Sequence, residues 1–179
     1  MQAENHSTVR EGLLVGLLGG GAVALWWLAV DLLGGTPLAT PNGLGRVFIG
    51  AERPAGSTSL APGAIAAFTV VHFALFAVLG LVLIRLVHLV SQHWEYRMGL
   101  WIGVVVTTAW LAFQTYALAR YTEYAISLWA VVGGALVGIG TMLALAWARH
   151  PALRQSLRQV PLADEVESPP APPSLPRRG

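Results

Sequence analysis

Four runs of about 20 apolar residues, at 12–33, 64–84, 98–118 and 125–147, constrain this chain more than any other feature. A bilayer core about 30 Å thick is crossed by about 20 helical residues, each rising about 1.5 Å. In hydrocarbon every backbone N–H and C=O has to find a partner inside the protein, which favours helices. Only 11% of the 179 residues are charged and 55% are hydrophobic, whereas soluble domains carry roughly 25% charge. The expected fold is an all-α membrane protein: a four-transmembrane-helix bundle forming one domain over 10–150, after a short N-terminus at 1–9. The first run is too long for a signal-peptide core, and "AVA" at 22–24 continues into "LWWL" without a break, so this helix is expected to stay in the membrane.

Four spans put both termini on one side. That side carries Arg10, Arg85, Arg97, Arg149, Arg154 and Arg158, and the other Arg46, Arg53 and Arg120. Positive charge accumulates on the cytoplasmic face, so both termini are expected to be cytoplasmic, in a bacterial inner membrane. Trp94, Tyr96 and Trp147 then mark the inner boundary, and Tyr116, Tyr121, Tyr124 and Trp129 the outer one. Short links, "SQHWEYR" and "ARYTEY", predict that the second, third and fourth spans are antiparallel neighbours. The first two spans are separated by a Gly/Pro-rich outer loop, 34–63. Within it Thr40 before Pro41 reads as an N-cap and first-turn proline, opening a short surface helix over "NGLGRVFIG". After the fourth span, 151–160 reads as an amphipathic juxtamembrane helix, with Arg149, Arg154 and Arg158 toward lipid headgroups. The tail 161–179 holds six prolines in nineteen residues and is expected to be extended.

The chain has no cysteine, which excludes disulfides, thiolate metal sites and a cysteine nucleophile. All eleven basic residues are Arg, a bias that fits either headgroup binding or a GC-rich genome. They are scattered at helix ends around a net charge of +2, so no nucleic-acid face is expected. There is no nucleophile elbow, carboxylate pair, phosphate loop or metalloprotease helix, and the chain is not expected to be an enzyme.

Small-residue seams are the strongest local signal, because helices in lipid associate through close packing and polar contacts. The first span offers Gly12, Gly16, Gly20 and Ala24, the third Gly99, Gly103 and Thr107, and the fourth Gly134 and Gly138 with Ser127, Ala130 and Thr141. The seams either pack against each other or dock helices of another protein. The first span, least tied by its long loop, is the foremost candidate for an outside partner. Asp31 closes its seam, where water or Arg46 can reach it. His72 is the one ionisable residue near mid-membrane. It is either a haem or chlorophyll ligand or a neutral imidazole bonded to a hydroxyl such as Thr107 or Thr108; with these and Gln114 it forms the membrane-depth polar set. Met142 is the other conceivable axial ligand. His6, His88, His93 and His150 fall on the inner side without ligand spacing, so no metal site is expected.

The Gly-rich first span ending in Asp31, the following Thr-Pro and the Thr-x-x-His-Phe run of the second span resemble an uncharacterised family of small four-helix bacterial integral membrane proteins. The likeness covers about 10–150. It implies the four-helix bundle and no activity or site. Abundant packing chemistry beside scarce reactive chemistry points to an accessory or scaffold subunit. Its partners are the lipid bilayer and other transmembrane subunits of a larger respiratory or photosynthetic complex, and no cofactor is required. A tetrapyrrole-binding protein using His72 and a small transporter or channel are the alternatives.

Overall fold

The computed structural model describes residues 2–50, 59–92, 97–121 and 126–150, and every regular element among them is helical. In chain order these are α1 (Gln2–Leu33), α2 (Ala39–Gly45), a 3-10 turn (Arg46–Ile49), α3 (Pro62–Gln92), α4 (Arg97–Tyr121) and α5 (Leu128–Arg149). Among the described residues three stretches are long and apolar enough to cross a membrane: Thr8–Leu33 of α1, Pro62–Val90 of α3 and the whole of α5. Their exposed large side chains are Leu and Val, with Trp129 and Trp147 on α5, as a lipid-facing surface requires. Both α1 and α3 run well beyond the apolar limits, α1 from Gln2 and α3 to Gln92. Helical hydrogen bonding continues through Arg10 and Arg85 because neither residue breaks a helix.

The organising helix is α1. It lies against α3 along one face and α5 along another, antiparallel to both. Glycine permits the first contact. A Cβ added at Gly80 of α3 would run into the Gly12 carbonyl and stand 2.6 Å from Gly16 Cα; one at Gly12 would stand 2.8 Å from Leu81 Cα. Backbone meets backbone, which is how helices gain dispersion energy in lipid. The α5 contact is made by side chains entering glycine gaps. Met142 fills the space at Gly19, Val23 that at Gly138, and Trp26 lies over Gly133 and Gly134. The Trp26 indole N–H donates to the Ala130 carbonyl at 2.8 Å. The core is accordingly built from α1, α3 and α5, around Val15, Val23, Phe76, Ile84, Val131 and Met142.

This arrangement corrects two expectations. The first span is, with α3, one of the two most extensively packed helices and not the least tied. The helices α3, α4 and α5 are also not a run of close neighbours: α4 leans chiefly on α5 through Leu111, Ala135 and Ile139 and touches α3 lightly. A short link fixes only that helix ends are near. The glycine contacts decide which helices share a core.

The segment after α1 is folded and not a loose surface loop. α1 closes with Gly35 at φ 71°, the Gly35 N–H reaching the Leu32 carbonyl and the Thr36 N–H the Asp31 carbonyl, both at 3.0 Å. That is a Schellman ending, where a left-handed residue favours glycine. The N-cap of α2 is Leu38, with φ 63°, and not Thr40. Thr40 lies inside the first turn because Asp31 does the capping from the end of α1: it accepts the Thr40 N–H at 2.8 Å and the Thr40 hydroxyl at 2.6 Å. α2 then packs onto the start of α3, with Leu44 fully buried and Gly45 against the Ala64 carbonyl. Asn42 accepts the Ala61 N–H at 2.8 Å, and Arg46 donates to the Ser59 carbonyl at 3.1 Å. Asp31 therefore pairs with Thr40, and Arg46 serves the Ser59 strap instead.

Candidate functional site

Two places gather polar chemistry. The first is a cavity of about 350 Å³ beneath the α2 cap, walled by all five helices and the 3-10 turn; its polar lining is His72 of α3 with Gln114 and Thr115 of α4. Phe68, Phe73 and Phe76 surround the imidazole, with ring centroids at 5.6, 5.4 and 4.8 Å. His72 Nε2 lies 3.0 Å from the Gly20 carbonyl, so this nitrogen carries the proton and donates it. The carbonyl is reachable because residue 20 has no side chain. A second, open groove of about 630 Å³ between α1 and α3 lies on the other side of His72 and is lined by Ala24, Gly21 and Asp31 among apolar neighbours.

The expected polar set is thus partly assembled. His72 and Gln114 line one cavity, while Thr107 lines a small void of about 40 Å³ between α3, α4 and α5. Thr108 turns back to donate to the Val104 carbonyl at 2.8 Å, and Thr115 does the same to Leu111. Threonine in a helix satisfies its hydroxyl on the preceding turn. The hydrogen bond of His72 is consequently made to a carbonyl of α1 and not to Thr107 or Thr108.

The seams divide in the same way. Gly12, Gly16 and Gly20 face α3, and Gly134 and Gly138 face α1, all inside the chain. Gly99 has no atom within 4 Å of an added Cβ, Gly103 has only a Leu86 methyl at 4.0 Å, and Ala24 is exposed. Arg149 ends α5 on the surface. Arg154 and Arg158, the juxtamembrane helix and the proline-rich tail lie outside the described residues.

The second polar place is at the opposite end of the bundle. Glu11 of α1, His88 of α3 and His150, which follows α5, bring their carboxylate and imidazole donor atoms within 4.8 Å of one another. Sequence spacing did not reveal it, because each residue comes from a different element and Glu11 belonged to no pattern. The shared clue was location: all three fall at one end of an apolar run. His93 lies outside the described residues, as does the side chain of His6.

Among the described residues the fold is all-helical, with three helices long and apolar enough to cross a membrane. No protein-family model, curated protein or solved structure matches the chain.

Proposed function

We propose that this chain is a four-span integral protein of a bacterial inner membrane, with both termini cytoplasmic, acting as a non-catalytic accessory subunit of a larger energy-transducing complex. α4, the third span in chain order, completes the four and is the face it offers to a partner. The observation that carries the reading is the exposed apolar face of α4, on which Gly99, like Gly21 of α1 and Gly140 of α5, leaves the space of its missing side chain unused. Glycine costs a helix roughly 1 kcal/mol relative to alanine. Gly12, Gly16 and Gly80 recover that through close backbone contact within the chain. At Gly99 recovery needs a helix from outside, on a face continued by Ile102, Val106, Trp110 and Phe113, which are 57–63% exposed. The occupant is a transmembrane helix of a partner subunit, and the weak hold of α4 on its own bundle leaves that face open.

Mild-detergent extraction of the native protein followed by native electrophoresis tests this. The wild-type chain migrates with a large assembly, and Gly99→Leu releases it as a folded bundle. A wild-type chain that runs alone, or a Gly99→Leu chain that stays in the assembly, overturns the proposal.

A further inference from the structure

The Glu11–His88–His150 cluster has a geometry that hydrogen bonding alone does not explain. His150 Nε2 is 3.1 Å from Glu11 Oε1, yet it is buried and lacks the alignment of a hydrogen bond to any described residue. The rings of His88 and His150 stand edge to face, with centroids 5.2 Å apart and planes at 82°. Thr8 Oγ1 lies 3.3 Å from His88 Nδ1 and holds that ring's rotation. His150 is held as well, its backbone N–H bonding the Ala146 carbonyl at 3.0 Å as the helix cap. The side chains of Glu11 and His150 are only 19% and 16% exposed.

We propose that Glu11, His88 and His150 bind one divalent first-row transition cation of the Zn²⁺ or Co²⁺ type. Two imidazoles and one carboxylate form a nitrogen-rich donor set that suits these ions, whereas Mg²⁺ and Ca²⁺ prefer all-oxygen shells. Around a tetrahedral ion with bonds of about 2.0–2.1 Å, neighbouring donors stand about 3.3 Å apart. The Glu11–His150 pair already stands near that separation at 3.1 Å, and all three donors lie within 4.8 Å of one another. Three protein ligands leave a fourth position for water or a ligand from a partner. The second residue layer is present in Thr8, since metal-binding imidazoles are oriented through their other ring atoms. The site ties together α1, α3 and the end of α5, the three helices that share the core, and it stands independently of the accessory-subunit reading.

The test uses the full chain, purified in detergent without a histidine tag, stripped with chelator and titrated with Co²⁺. The expected result is one Co²⁺ per chain with visible ligand-field bands, displaced by Zn²⁺. Glu11→Gln, His88→Gln and His150→Gln should each weaken binding by about tenfold or more, at unchanged helicity by circular dichroism. Thr8→Val, which frees the His88 ring but spares all three ligands, should also weaken binding by about tenfold or more while one Co²⁺ still binds per chain. Absence of ligand-field bands in the wild-type chain overturns the proposal whether or not the variants fold, and so does undiminished binding in all three Gln variants. A loss of stability in Glu11→Gln without any Co²⁺ binding by the wild type would leave only an ion pair between helix ends.

Discussion

Adding one methyl group at Gly80 tests the backbone contact between α1 and α3. The new Cβ of Gly80→Ala would lie 2.6 Å from Gly16 Cα and 2.5 Å from Gly16 N, where unstrained carbon contacts lie near 3.5–4.0 Å. Nothing flexible stands in the way that could rotate aside, because the opposing atoms are backbone. The helices must therefore part by about 1 Å, which forfeits a quarter to a half of each contact's attraction along the seam. Overpacking of this kind costs about 1–3 kcal/mol, while alanine returns up to about 1 kcal/mol of helix propensity. From the upper part of that range, the net destabilisation is about 2 kcal/mol, or roughly 30-fold in the folded-to-unfolded ratio. The matched control is Gly99→Ala, which meets nothing within 4 Å and should be neutral or stabilising by up to about 1 kcal/mol. Unfolding in mixed micelles by increasing mole fraction of SDS, followed through tryptophan fluorescence, reads both variants. The reasoning is refuted if Gly80→Ala is as stable as the wild type, or if the two alanines shift the midpoint equally in the same direction.

Two further substitutions probe the polar contacts. Asp31→Asn loses the charge that accepts both Thr40 bonds and should loosen the α2 cap by about 1.5–3 kcal/mol, seen as faster amide exchange at Thr40 and its neighbours with α5 unaffected. Trp26→Phe removes the indole bond to the Ala130 carbonyl while keeping an aromatic ring over Gly133 and Gly134, and should cost about 1 kcal/mol in the SDS titration; an unshifted midpoint would show that this bond adds nothing.

How much of this was readable in the residues depends on whether a contact leaves a periodic trace. Gly12 and Gly16 announce a close helix contact by their spacing, but Gly80 stands between Phe76 and Ile84 with no small residue four positions away. One side of the seam was therefore visible and its partner was not, and α1 looked detached when it is central. His72 was legible as a satisfied imidazole or a ligand, but its partner, the Gly20 carbonyl, is a backbone atom that no side-chain pattern encodes. Asp31 was read as closing the seam within reach of water or Arg46, whereas it is buried and bonds Thr40. Its partner was missed because Thr40 resembles an N-cap, and only the left-handed turn at Leu38 shifts the helix start by two residues. The Glu11–His88–His150 cluster is illegible for a simpler reason: helical spacing reports neighbours on one helix, and these three come from separate elements.

The central position of α1 has a consequence for biogenesis. During synthesis α1 leaves the ribosome before the residues that cover its glycine face, which arrive with α3 about 60 residues and several seconds later at roughly 5–20 residues per second. For that interval the stripe from Gly12 to Gly20 is open to any helix in the insertion site, including α1 of another nascent copy. The same stripe that seals the finished bundle is thus its most exposed pairing surface while the chain is being made.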